Sequence, residues 1–207
     1  MYQWFKKLFL SSQSVAKKWV LPILSTSVEL DPHYKAFYEA VLASSFSGEL
    51  STAFSQRFSL SRDNSPYQCC PQLLCFPKTE ADIQIICSLL SQPEFSSIVL
   101  TARAGGTSCN GQSLGAGVIM DCSKFMTEIL EINTKDGYVR VQPGVILDDL
   151  NDHLKARGYF FAPHVSPSSR ACIGGMIGTD ACGEGSRLYG RTGDHLLEAR
   201  VVLSEGS

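Results

Sequence analysis

Arg103-Ala104-Gly105-Gly106-Thr107-Ser108-Cys109-Asn110-Gly111-Gln112 is the stretch on which the fold turns. It follows an apolar run, Ser97 to Ala102 with Ile98-Val99-Leu100 at its centre, which reads as a buried strand. Glycines let the backbone turn sharply and bring successive N–H groups to one point. Such a run forms an anion nest suited to a phosphate or pyrophosphate, and Thr107 and Ser108 add hydroxyls. Two familiar phosphate motifs fit badly. Gly106 and Gly111 have P-loop spacing, but Gln112 stands where that motif needs lysine. A dinucleotide fingerprint would open a helix, whereas here another strand, Val118 to Asp121, comes next. From the loop alone, an anion cradle and a long surface turn both remain open.

The pattern on either side is of the α+β kind. Upstream, Asp31 to about Ser47 is helical in pattern, with Tyr34, Phe37, Tyr38, Val41 and Leu42 at three- and four-residue steps. Asp63-Asn64-Ser65-Pro66 forms a turn. Leu73 to Phe76 is a short strand, and Thr79 caps a helix with Asp82 in its first turn. Its buried stripe is Ile83, Ile86, Cys87 and Leu90. Downstream, Thr127 to Ile132 and Tyr138 to Gln142 are strands joined by an Asp136-Gly137 hairpin turn. Leu147 to Arg157 is a helix ended by Gly158. Leu196 to Leu203 is a last apolar strand, whose pairing neighbour is expected beyond Ser207.

A second loop region runs from Pro163 to Ser169 and on through Ile173-Gly174-Gly175-Met176-Ile177-Gly178-Thr179-Asp180-Ala181-Cys182-Gly183. Two prolines and three serines make a rigid, hydroxyl-bearing loop. Gly174-Gly175 lets backbone approach a flat ligand closely, and Gly178, Ala181 and Gly183 keep the approach open.

Composition narrows the function. The 207 residues carry 18 Lys+Arg against 20 Asp+Glu, so no basic excess points to nucleic acid. No run approaches the ~20 apolar residues of a membrane span. Eight cysteines, at 69, 70, 75, 87, 109, 122, 172 and 182, form no CxxC pair, which leaves a metal site unsupported. They are expected to be reduced thiols, mostly small buried ones, with Cys109 in the glycine loop as the exception. Met1 to Val28 has four lysines and no acid, and Trp4, Phe5, Leu8 and Phe9 share a helical face. That stretch fits an anionic membrane surface, a targeting peptide, or a helix packed on its own protein. A cytoplasmic location, peripheral to the inner membrane if the basic stretch docks there, is expected.

Taken in order, the motifs resemble the FAD-binding domain of the vanillyl-alcohol-oxidase and para-cresol-methylhydroxylase superfamily. The Arg103–Gly111 loop matches RxGGTxxxG. After it come Val141-Gln142-Pro143-Gly144-Val145, Leu150-Asn151 and Gly158-Tyr159-Phe160-Phe161-Ala162-Pro163. Then come the serine loop, Ile173-Gly174-Gly175-Met176, and Tyr189-Gly190-Arg191-Thr192-Gly193-Asp194-His195-Leu196. Arg62-Asp63-Asn64-Ser65-Pro66-Tyr67-Gln68 and Gly183-Glu184-Gly185-Ser186 are similar to the large bacterial FAD and iron–sulfur D-2-hydroxyglutarate dehydrogenases, with D-lactate dehydrogenases and glycolate oxidase subunits as relatives.

The resemblance implies an α+β, PCMH-type FAD-binding domain of two α+β subdomains, the second incomplete, over residues 69–207. A basic segment at 1–30 and a helical arm and linker at 31–68 precede it. It implies that Ala104, Gly105, Gly106, Thr107 and Ser108 hold the FAD pyrophosphate, with Asn110 and Gly111 closing the loop and Arg103 and Gln112 flanking it. Pro143, Gly144, Pro163, Ser168, Ser169, Ile173, Gly174, Gly175, Thr179, Asp180 and Gly183 line the rest of the cofactor. Some family members attach flavin through a histidine where Thr107 stands, so noncovalent FAD is expected. The implied reaction is oxidation of a D-2-hydroxy acid with hydride passing to the flavin. The base and the electron-exit cysteines lie downstream in relatives, so no catalytic residue is assigned to this chain. The implied partners are downstream substrate and iron–sulfur domains or a partner chain. His33, His153, His164 and His195 fit no metal spacing, and His195 is expected to be structural. The rival reading is a non-catalytic remnant or scaffold that binds FAD weakly or not at all.

Overall fold

The computed structural model describes residues 30–207; the basic amphipathic stretch before them lies outside the described residues. The chain is an α+β protein of two lobes. Helix α1 (Pro32–Ala43) starts at Asp31, whose carboxylate accepts the His33 N–H at 2.9 Å, with proline in the first turn. Phe37 and Val41, one turn apart, are fully buried, and Phe37 meets Phe95 edge-on at 5.3 Å. Leu42, read as part of that face, is instead 59% exposed. It adjoins Val41 in sequence, so the helical turn carries it off the buried stripe.

Strands β1 (Glu49–Ser51), β2 (Leu73–Phe76), β3 (Leu100–Arg103) and β4 (Val118–Asp121) form one sheet in the order β1-β2-β4-β3. The pair β1–β2 is antiparallel, and β4 runs parallel to both β2 and β3. Helix α2 (Phe54–Ser59) links β1 to the segment leading into β2. The two central strands are buried at every position, as strands covered on both faces must be. The two-residue period then sorts their side chains. Leu73, Cys75, Val118 and Met120 enter the main core with Phe37, Val41, Ile86 and Phe95, while Leu74, Phe76 and Ile119 form a smaller core on the other face.

Helix α3 (Glu80–Leu90) carries a full capping box between Thr79 and Asp82. Asp82 does more than cap. Fully buried, it accepts the Ser47 N–H at 2.6 Å, the Ser47 hydroxyl at 3.0 Å, and the Lys78 and Thr79 N–H groups at 2.9 and 3.0 Å. Edge strand β3 begins later than the apolar run suggests. Val99 is 62% exposed, and pairing with β4 starts at Leu100.

In the second lobe, β5 (Ile129–Asn133) and β6 (Tyr138–Val141) form an antiparallel hairpin. Its connection is a four-residue loop rather than a tight two-residue turn. The Asn133 side chain accepts the Lys135 and Asp136 N–H groups, and Gly137 closes the loop at φ +73°. Helix α4 (Leu147–Lys155) buries Leu147, Leu150 and Leu154 against the hairpin. Gly158, at φ +79°, ends it in a Schellman arrangement, with Gly158 N–H on the Lys155 carbonyl and Tyr159 N–H on the Leu154 carbonyl. Short helices α5 (Ile173–Gly178) and α6 (Ser186–Tyr189) and a 3₁₀ turn (Gly193–His195) follow. Residues 196–203 are not a strand: no described segment pairs with them, and Leu197 and Val201 are 79% and 65% exposed. Among the described residues, no helix is long and apolar enough to cross a membrane.

Burial raises the Asp82 pKa, but its donors more than offset this and hold it below the ordinary carboxylate value. A depressed folded pKa gives stability that is present above about pH 4, the unfolded value, and lost as pH falls through the folded one. Replacing Asp82 with Asn points an NH2 at donors and should cost about 2–3 kcal/mol at pH 7. In urea unfolding at pH 7 and pH 3, the gap between wild type and Asp82→Asn should narrow at the lower pH.

Candidate functional site

The glycine loop leaves the carboxyl end of β3 and is fixed from behind. Arg103, 8% exposed, turns its guanidinium into the protein, where Nη1 donates to the Leu60 and Ser113 carbonyls at 3.3 Å and Nη2 to the Arg62 carbonyl at 2.8 Å. Burial presses its pKa down while Asp121 and Asp63 pull it up, and it stays charged at neutral pH. Gly106 sits at φ +59°, and a Cβ there would strike the same guanidinium. The Gln112 side chain accepts the Asn110 N–H at 3.2 Å, and Gly111 closes the loop at φ +78°.

What the loop leaves open is a run of donors. Among the described residues, no protein acceptor meets the N–H groups of Gly106, Thr107, Ser108 or Cys109. Consecutive N–H groups around a left-handed residue have the geometry of an anion nest. The Ser108 hydroxyl does not add to them: it donates to Asp63 at 2.6 Å. Asp63 and Asn64, legible in sequence as a turn within the Arg62–Gln68 run, touch this loop directly. Burial raises the Asp63 pKa, and hydrogen bonds from Ser108, Ser65 and the Gly111 N–H more than offset it, leaving the carboxyl below its ordinary value.

The second region meets the first through glycines. A Cβ on Gly105 would overlap the Arg170 carbonyl, and one on Gly174 would overlap Pro143. Gly144, buried, has the Cys122 and Met126 carbonyls against it. The Gly174 N–H donates to the Pro143 carbonyl and the Ile173 N–H to the Val145 carbonyl, both at 2.9 Å. Gly105, Pro143, Gly144, Ile173 and Gly174 are thus brought to one seam between the lobes. Gly175 differs: a Cβ there would touch only Ala104, at an ordinary 3.8 Å, and the residue is exposed.

The remaining expected residues are spread more widely. Pro163 is buried, and the Ser168 carbonyl accepts the Asp148 N–H at the start of α4, while Ser169 is exposed. The Thr179 hydroxyl donates to the Gly175 carbonyl at 2.9 Å. Asp180, left-handed at φ +46°, accepts the Gly193 N–H at 2.9 Å and faces Arg191 at 3.5 Å. A Cβ on Gly183 would overlap the His164 carbonyl. The His195 ring bonds the Tyr189 carbonyl at 2.7 Å and meets Phe161 edge-on, which is a packing role. A wide cleft beside the seam touches Gly105 and Gly144 and is lined by Glu128, Glu131, Asp149 and Asp152 together with Arg157 and Arg170.

Two buried cysteines, Cys122 and Cys172, flank the seam. All eight cysteines are free. Burial pushes Cys122 up to about 12 and Cys172 up to about 11, so neither is a nucleophile at neutral pH. Among the described residues, no three His, Cys, Asp or Glu side chains group to hold a metal ion.

The chain belongs to the FAD-binding-domain family, whose profile, described as "FAD binding domain", matches residues 71–207. It is 47% identical over 187 residues to the D-2-hydroxyglutarate dehydrogenase of Pantoea ananatis, covering 90% of this chain and 18% of that protein. It is 48% identical over 170 residues to the Escherichia coli protein of the same name, covering 82% and 17%. The chain therefore spans less than a fifth of the length of these relatives. Among solved structures, an alkyldihydroxyacetonephosphate synthase superposes with a TM-score of 0.70 at 18% identity, over 84% of this chain and 34% of that one. BBE-like 1 of Physcomitrella patens gives 0.69 at 20% identity, over 83% and 36%. The fold is that of the PCMH-type FAD-binding domains, and the chain is an FAD-binding module related to flavin-dependent oxidoreductases.

The two kinds of glycine make opposite predictions. Gly105→Ala and Gly174→Ala force backbone or proline to move and should each cost about 1–3 kcal/mol. Gly175→Ala, in an exposed helical position with room for a methyl, should leave stability unchanged or raise it by about 0.5–1 kcal/mol. Chemical denaturation of the three variants measures this, and equal losses in all three would refute the distinction.

Proposed function

We propose that this chain holds FAD noncovalently as the flavin-binding part of an enzyme that oxidises a D-2-hydroxy acid of the D-2-hydroxyglutarate or D-lactate type. The observation that carries the reading is the run of four N–H groups, Gly106 to Cys109, with no protein acceptor among the described residues, in a loop otherwise tied down on every side. A dianionic diphosphate is the ligand such a run suits, because fixed N–H dipoles stabilise its charge without a costly rearrangement. Thr107 has no nucleophilic nitrogen, so nothing at that position forms a covalent flavin bond.

The chain's own residues bind and orient. The Ala104–Ser108 backbone takes the diphosphate, with Asn110 and Gly111 shaping the loop's return. The exposed face of Gly175 gives the flat part of the cofactor an unobstructed approach. Arg103, Gly105, Pro143, Gly144, Ile173 and Gly174 fix that surface from behind, and Thr179, Asp180 and Gly183 brace its far end. Pro163, Ser168 and Ser169 complete the lining. The bound flavin supplies a hydride acceptor for the substrate's α-carbon. Proton abstraction and carboxylate recognition belong to further domains or a partner chain, iron–sulfur centres included. Residues 69–207 are the cofactor domain and 31–68 an arm packed on it.

An absorbance spectrum of the purified protein, before and after denaturation and filtration, tests this. A flavin spectrum with FAD recovered in the filtrate is expected. A colourless protein that also takes up no added FAD would sink the reading. Gly175→Ala sharpens it: folding should be untouched while FAD affinity falls several-fold, the mark of a glycine kept for the ligand rather than for the protein.

A further inference from the structure

The segment just before β2 is bound to the glycine loop more closely than a linker needs to be. Arg62 and Gln68 pair as an isolated antiparallel bridge, and the Arg62 guanidinium donates to the Gln68 side chain at 2.8 Å. Between them the chain closes a small ring, held inside by the Ser65 N–H on Asp63 Oδ1 at 2.8 Å. Three hydrogen bonds join this ring to Thr107 and Ser108. The Ser108 hydroxyl donates to Asp63 Oδ2 at 2.6 Å. The Asn64 N–H donates to the Ser108 carbonyl at 3.0 Å, and Asn64 Nδ2 to the Thr107 carbonyl at 3.3 Å.

The direction of those contacts matters. Two successive carbonyls, Thr107 and Ser108, are drawn toward the ring. In a planar trans peptide the C=O and the following N–H point to opposite sides. Pinning the two carbonyls therefore turns the N–H groups of Ser108 and Cys109 away from the ring. These are two of the four donors left without a protein acceptor. Were either peptide to flip, a carbonyl dipole would face an incoming anion and repel it. Asp63 also occupies the Ser108 hydroxyl, so that side chain cannot turn round and bond the loop's own carbonyls.

We infer that the ring at residues 62–68 is part of the cofactor site at one remove, with Asp63 and Asn64 as positioning residues that set the peptide orientation of the diphosphate loop. The inference rests on the reading of that loop as a diphosphate cradle. Neither residue touches the ligand. Asp63 works through the Ser108 hydroxyl, and Asn64 through the two carbonyls.

The test is FAD affinity of the full chain, measured by flavin fluorescence well below the melting point of every variant, so that only folded protein is compared. Asp63→Ala and Ser108→Ala break the same contact from opposite ends and should each weaken FAD binding about ten-fold. Because they remove one shared contact, the double variant should be no worse than the weaker single. Asp63→Asn keeps an amide oxygen for the Ser108 hydroxyl and should recover part of the loss. Should Asp63→Ala fail to fold, Ser108→Ala decides alone, since it leaves the ring intact. Unchanged FAD affinity in Ser108→Ala, or losses that simply add with no recovery in Asp63→Asn, would overturn the inference while leaving the cradle in place. Wild-type protein that takes up no FAD would remove the cradle itself, and the inference with it.

Discussion

A guanidinium taken out of water must find acceptors for its donors, and around Arg103 that requirement organises the site. The side chain stands at the end of β3, where the chain leaves the sheet, and it is nearly buried. Its donors reach the carbonyls of Leu60 and Arg62 on the arm before β2 and of Ser113 at the far end of the glycine loop, two separate stretches of chain. Asp121, at the end of the neighbouring strand, and Asp63 supply the balancing charge. An unpaired charge there would be expensive, so the arm before β2, the far end of the glycine loop and the sheet's edge are held in register by one side chain. The path of the loop depends on this anchor, because the free N–H run begins three residues beyond it.

The anchor also redistributes roles among residues that look alike in sequence. In a motif of arginine, glycines and hydroxyls, arginine is the natural partner for a phosphate, since its planar fork suits oxyanions. Here the fork is filled by protein carbonyls, and the Ser108 hydroxyl is filled by Asp63. The groups left without a protein partner are then the backbone donors. Glycines divide in the same way. Gly105, Gly144, Gly174 and Gly183 are glycine because other parts of the chain press on them, whereas Gly175 has room for a methyl and nothing of its own protein to exclude.

Much of this was legible in sequence, and for physical reasons. Strands β2 and β4 are short apolar runs buried on both faces, so composition alone located them. The Thr79–Asp82 capping box and the Gly158 helix end are local chemistry, fully encoded within a few residues. What was not legible depends on contacts distant in sequence. The start of β3 is set by where β4 begins to pair, not by where the apolar run begins. Residues 196–203 have strand composition but no described neighbour, and a strand exists only when paired. The hairpin loop is longer than the Asp136-Gly137 pair suggests because Asn133, three residues before that pair, accepts the Lys135 and Asp136 N–H groups. Asp63 was visible as a turn residue within the Arg62–Gln68 run, but not as a partner of the glycine loop, since Ser108 lies 45 positions away.

A loop whose free donors are backbone N–H groups constrains how such a fold diverges. Side-chain ligands must be kept one by one, but an N–H is supplied by every residue except proline. What has to persist is the path of the chain: the glycines where lobes touch, the left-handed turn at Gly106, and an anchor that aims the peptides. Residues elsewhere are free to change as long as the two cores stay filled. The fold itself is kept at a TM-score of 0.70 with only 18% of residues in common. The constraint acts on conformation, so the residues that enforce it include ones, such as Asp63 and Arg103, whose side chains bond only to other parts of the protein.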